Sequence, residues 1–191
     1  MFGSFARNLL PAALLGAFWH IPFLVFGLLF AAGPALAAPA NVDGLPLPRF
    51  VTTHFNNVNV RVGPGERYDV TWVFTSAGTP VEVVQEFDIW RKIRDFDGQE
   101  GWIQQNQLSG IRAGLVSPGK SGSDFALFSS PSVEASPRAY LPPGFRVNLK
   151  RCDGSWCQVD ATGRDTGGHS STYSGYLKQG DIWGVLQGEV F

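Results

Sequence analysis

Cys152 and Cys157, the histidines His54 and His169 and the serines Ser170 and Ser171 are the residues of this 191-residue chain from which a nucleophile, a redox pair or a metal site could be built. A covalent catalyst needs a base beside its nucleophile. Serines that merely adjoin His169 in the chain form no triad, and a Cys–His dyad would require unpaired thiols. Metal ligation could draw on His169, Asp165 and the cysteines, but no H-x-x-H or C-x-x-C spacing is present. The segment Cys152-Asp153-Gly154-Ser155-Trp156-Cys157 places four residues between its cysteines, the wrong spacing for a thioredoxin-type redox motif. It suits a disulfide across a hairpin turned at Asp153-Gly154, and closing so short a loop constrains the unfolded chain by about 2 kcal/mol. The expectation is a non-enzyme with no catalytic residue, no metal and no cofactor. A minor reading keeps a small enzyme that uses His169.

Aromatic side chains are the better candidates, with Trp 6, Tyr 4 and Phe 15. Tyr68 and Trp72 follow the turn Gly63-Pro64-Gly65, and Trp90 begins a later strand. Arg61, Glu66, Arg67 and Asp69 stand around the same loop as charges that could meet a charged peptide. Each also has a plain structural reading: Trp90, Trp102 and Trp156 as core or inter-repeat packing, the charges as a solvated rim.

These residues recur in a pattern carried twice. Asn59–Gly65, Gly78, Trp90 and Gly101-Trp102-Ile103 align with Ala126–Ser132, Gly144, Trp156 and Gly175-Tyr176-Leu177, at an offset near 66 until an insertion precedes Tyr176. A fixed internal period means two copies of one folding unit. Val58, Val60 and Val62 alternate with polar residues, as do Val70, Trp72 and Phe74, and turn signals fall every 8 to 12 residues. Val84 interrupts the alternation of Val81 and Val83 as a bulge. The alignment sets Glu86 opposite Cys152 and Arg91 opposite Cys157, so one hairpin would hold a cross-strand position with an exposed ion pair, the other with the disulfide. Gly/Ser/Pro content marks 113–124 as a linker and Ala161–Ser174 as an exposed loop, and Trp183, just after the second copy, is expected to staple the two copies or their C-terminal ends together.

The 15 basic and 16 acidic residues give a net charge of −1, with no basic cluster sized to neutralise several phosphates, which argues against nucleic acid. Residues 1–37 differ from the rest: Arg7, an apolar stretch from Leu9 to Leu36, then Ala35-Leu36-Ala37 as a small-x-small cleavage site. They read as a secretory signal cut after Ala37 or as a retained inner-membrane anchor; only the second implies membrane contact. Both readings export the remainder to the periplasm.

Asn57–Gly65, the strand Trp90-Arg91-Lys92-Ile93 and Gly101-Trp102-Ile103 together resemble the bacterial SH3 domain. Two copies with C-D-G-S-W-C in the second resemble the exported tandem SH3-like proteins of alphaproteobacteria. The resemblance implies an all-β fold of two small SH3-like β-barrels in tandem after the signal peptide. Its parts are a lead-in at 38–49, repeat 1 at 50–112, the linker at 113–124 and repeat 2 at 125–187. It also implies a ligand groove beside the Gly-Pro-Gly loop, where Tyr68, Trp72, Trp90, Arg61 and Arg67 would take an extended peptide; the divergence of the second copy favours a division of labour, one repeat binding and the other bracing. The partner would be peptidoglycan or a periplasmic protein. The alternative is a structural, accessory subunit of a periplasmic or inner-membrane complex.

Overall fold

The computed structural model describes residues 43–164 and 167–191; the expected signal or anchor at 1–37 lies outside them. The chain is all-β. Its strands are β1 (Arg49–Thr53), β2 (Val58–Arg61), β3 (Val70–Phe74), β4 (Pro80–Phe87), β5 (Trp90–Arg94), β6 (Glu100–Gln104) and β7 (Leu108–Ser109). There follow β8 (Ala113–Val116), β9 (Phe125–Phe128), β10 (Pro137–Leu141), β11 (Arg146–Cys152), β12 (Trp156–Arg164), β13 (Ser170–Lys178) and β14 (Ile182–Trp183). They form two antiparallel sheets in the orders β3-β2-β6-β5-β4-β1-β7 and β10-β9-β13-β12-β11-β8-β14. The second order repeats the first strand for strand. A single-turn 3-10 helix precedes the last strand of each sheet, at Gln105–Gln107 and Gln179–Asp181.

Period-2 alternation builds one core per sheet. Val58, Val60, Val81, Val83, Ile93 and Ile103 are fully buried in the first, and Leu127, Val147, Leu149, Val159 and Leu177 lie in the second. The alternation slips at one equivalent place in both. The β4–β5 register shifts between Val83 and Gln85, and the β11–β12 register between Leu149 and Arg151. Val84 is the expected bulge. A bulge moves the residues beyond it to the opposite face, so Glu86 and Cys152 turn inward and meet Arg91 and Cys157 as direct cross-strand partners. Cys152 and Cys157 are disulfide-bonded.

The ion pair differs from the exposed one expected. The Glu86 and Arg91 side chains are 0% and 2% exposed. They are covered by the lead-in: Asp43 meets Arg91 at 2.6 Å and Arg49 at 3.4 Å, and its amide donates to Glu86 at 3.2 Å. Arg49 reaches Glu86 at 2.7 Å. Arg91 also donates to Gln105 Oε1 and to the Asp88 and Trp90 carbonyls.

Two other segments depart from expectation. Ala113–Val116, read as linker from its composition, is β8, paired with β11 and β14. The turn-rich part comes after it, and only Gly110–Arg112 join the sheets. Ala161–Ser174 is largely a hairpin extension, with β12 and β13 paired out to Arg164 and Ser170. Its ladder is polar, with a Thr162–Thr172 hydroxyl contact at 2.8 Å and Ser174 donating to Asp160 at 2.7 Å.

Trp183 does staple the copies. From β14 it sets its ring edge-on to Phe50 of the first sheet at 5.0 Å and to Phe96 at 6.4 Å. Arg146 crosses the same junction, donating to Ala77 O at 3.0 Å. Gly78 has φ +75°, so the backbone favours glycine there, and the Arg146 guanidinium rests over its bare Cα.

Two outcomes test this frame. Glu86→Ala removes the buried carboxylate that Arg49 and Arg91 share, leaving both to Asp43, and should lower unfolding free energy by about 3 kcal/mol in urea, whereas oxidised Glu86→Cys/Arg91→Cys, copying the second hairpin, should recover part of that loss. Trp183→Ala should split one calorimetric transition into two as the sheets uncouple; a single transition of unchanged midpoint would deny the staple.

Candidate functional site

The Gly63-Pro64-Gly65 loop closes on itself. A Cβ on Gly63 would stand 2.6 Å from the Tyr68 ring, so glycine is what lets the ring lie on the turn. Arg61 Nη1 donates to Glu66 O at 3.1 Å and Tyr68 O at 2.7 Å. Arg67 stacks 5.1 Å from the Tyr68 ring centroid and donates to its hydroxyl at 3.3 Å.

Of the five candidate residues, Arg61, Arg67 and Tyr68 belong to this surface loop. Trp72, opposite Val60 on β3, packs against the first core and sets its edge to Phe74 at 6.1 Å. It is a packing residue, and its buried indole N–H has no acceptor among the described residues. Trp90 is 8% exposed. It meets Arg61 in a cleft of about 60 Å³, whose other walls are Asn59, Glu66, Gln104 and Gln107. Tyr68 and Trp72 do not line that cleft.

The equivalent place in the second sheet is open. Trp90 pairs with Gln104 across β5–β6, and Trp156 pairs with Lys178 across β12–β13. The cleft beside Trp156 measures about 710 Å³ and is lined by Lys178, Gln179, Asp181, Ile182 and Val185 among others. One substitution explains much of the difference. Arg61 pairs with Trp102 in the first sheet, and Phe128 pairs with Tyr176 in the second. Phe128 packs edge-on to Trp156 at 5.7 Å, and no residue of its loop enters the cleft lining.

The C-terminal segment forms one wall of this cleft through Gln187 and Gly188. It is held at both ends. Phe191 exchanges backbone hydrogen bonds with Cys152 at 3.1 and 3.2 Å. Arg112 takes the Glu189 carboxylate in a fork at 2.7 and 3.0 Å, donates to Gly184 O, and lies over the Phe191 ring at 4.3 Å. Arg112 bonds through its carbonyl to Leu149 N, as Arg49 faces Val83 in the first sheet. The two arginines thus hold equivalent positions, one pinning the segment before its sheet and the other the segment after it. Burial pulls the Glu189 carboxyl upward, and the hydrogen bonds from Arg112 and the Leu186 amide outweigh it, so its pKa falls below the ordinary glutamate value. Asp153 is also lowered, by the Trp156 and Ser155 amides that close the hairpin beneath Trp156.

Sequence reasoning missed Arg112, Gln179 and the open cleft. Arg112 fell at the edge of the supposed linker, and its kinship with Arg49 appears only once β8 is paired.

Residues 55–110 match the family model for the bacterial SH3 domain, from the loop before β2 to just past β7. No curated protein matches the chain at a significant level. The match covers the first sheet alone; the second sheet of identical strand order makes the fold one of two SH3-like β domains, and for the matched segment a binding role is the general expectation.

The fork on Glu189 carries a pH signature. A carboxyl with lowered folded pKa contributes stability above its unfolded value, near 4.3, and loses it as pH falls through the folded value. The difference in thermal midpoint between wild type and Glu189→Gln should therefore be largest near neutral pH and shrink below about pH 4. A difference that stays constant across this range would show that the fork contributes no proton-linked stability.

Proposed function

We propose that the protein is an exported, non-enzymatic binder of the cell envelope, of the tandem SH3-like type, that holds extended peptides. Its targets are peptidoglycan stem peptides or an extended segment of a periplasmic protein. The observation that carries this reading is the bacterial SH3 match at residues 55–110. The disulfide supports export, since such bonds persist in oxidising compartments. It also supports the non-enzymatic reading, because pairing Cys152 with Cys157 leaves no free thiol. Among the described residues no group of three His, Cys, Asp or Glu is placed to hold a metal. The first-sheet loop offers Tyr68 and Arg67 as an aromatic–cation pair, the combination that suits peptide recognition.

A specific observation favours the second reading, an accessory subunit of an envelope complex. Both sheets end in an edge strand with exposed hydrophobic side chains: Val70 and Val73 on β3, and Tyr140, 62% exposed, on β10. Such edges can pair with another chain.

Sedimentation with purified peptidoglycan sacculi separates the readings. Wild-type protein should pellet with sacculi and be released by soluble stem peptides, and Tyr68→Ala should weaken pelleting by about tenfold if it removes one desolvated aromatic contact. Wild-type protein that stays in the supernatant would overturn wall recognition and leave the protein-partner reading to pull-down from envelope extract.

A further inference from the structure

We infer that the peptide-binding cleft of this protein lies in the second sheet beside Trp156, and that it takes a short extended peptide carrying both an amino and a carboxylate group. The inference rests on the peptide-binding reading above and adds a cleft in the second repeat to the loop around Tyr68 in the first.

Gln179 carries the argument. The residue is 4% exposed and lines the cleft. Its side-chain nitrogen donates to two carbonyls, Leu186 O at 2.7 Å and Glu189 O at 3.1 Å. Two acceptors on one side fix the amide orientation, because a flipped side chain would set oxygen against oxygen. Its Oε1 is then buried, with no hydrogen-bond donor among the described residues. A buried acceptor without a donor is costly; here it belongs to a residue of the cleft wall, and a small turn of that side chain would offer it to a ligand N–H.

The remaining walls fit such a ligand. Trp156, Ile182 and Val185 give apolar surface for a chain, while Asp181 and Lys178 supply one charge of each sign. An ammonium suits Gln179 Oε1 and Asp181; a carboxylate suits Lys178. At about 710 Å³ the cleft is in the range of small-ligand sites. In the first sheet the counterparts of this lining are split between two smaller clefts: Trp90 and Gln104 line one of about 60 Å³ with Arg61 and Glu66, and Gln105 and Leu108 line one of about 190 Å³, where Gln105 Oε1 is occupied by Arg91 at 2.6 Å.

The test is a titration of the ¹⁵N-labelled full chain with the tripeptide Ala-Ala-Ala, monitored by nuclear magnetic resonance. The Gln179 side-chain amide and the Trp156 indole N–H should shift saturably, and the Trp90 indole should not. Lys178→Gln/Asp181→Asn, which alters only the rim, should weaken binding by about tenfold, as should Gln179→Met. If Gln179→Met fails to fold, the rim variant decides. No saturable shift, shifts confined to the Trp90 side, or unchanged affinity in the rim variant would each overturn the inference. Sacculi sedimentation run on the same rim variant keeps the two ideas apart. Undiminished pelleting with a silent titration sinks the cleft and spares wall binding. A saturable, rim-dependent titration without pelleting sinks wall binding and spares the cleft.

Discussion

A single inward cross-strand position, made by a bulge, governs the rest of this structure. Because β4 and β11 each slip by one residue, Glu86 and Cys152 face the interior where regular alternation would have turned them out. The two repeats answer this constraint with different chemistry. An ion pair removed from water costs several kcal/mol per ion unless further partners surround it. The first repeat therefore gathers Asp43, Arg49 and Gln105 around Glu86 and Arg91. The second uses a covalent bond that has no charge to neutralise.

That choice spreads outward. With no arginine behind Trp156, Gln179 is not needed as a charge partner and turns its nitrogen to the C-terminal segment. Arg112, the counterpart of Arg49, likewise has no inward carboxylate to serve and takes Glu189 of that segment instead. The first sheet is sealed by the segment on its N-terminal side, and the second is walled by the segment on its C-terminal side. Sheets as small as Arg49–Ser109 bury too little apolar surface to be strongly stable alone. Each has an added clasp, and Trp183 joins them through Phe50 and Phe96.

Much of this was legible in the chain itself. Valine alternation, turn chemistry and the repeat identified the all-β class, and the aligned tryptophans placed Glu86 and Arg91 against the two cysteines. What remained hidden depended on distant chain. The burial of Glu86 comes from Asp43 and Arg49, which nothing in the hairpin announces. β8 was obscured by the Gly/Ser-rich turn after it, because its pairing partner β11 lies thirty or more residues away. The β12–β13 extension has Thr, Ser and Gly on both faces, so it lacks the hydrophobic period by which strands are recognised. Trp72 and Tyr68 are close in sequence, yet one faces the core and the other lies on its own turn. Proximity to a loop does not fix a side chain's direction.

Divergence between the copies also bears on which one can hold a ligand. A motif match marks the repeat that kept the family's pattern, and here that is the first. Among the features that keep the pattern, Arg61 tied to Glu66 also fills the space beside Trp90. In the second repeat Phe128 replaces that arginine and lies against Trp156, and the cleft stays open with a buried acceptor in its wall. Likeness to the family and the larger open cleft thus fall in different sheets. The strongly patterned copy is internally satisfied; the departed copy has surface chemistry left to offer.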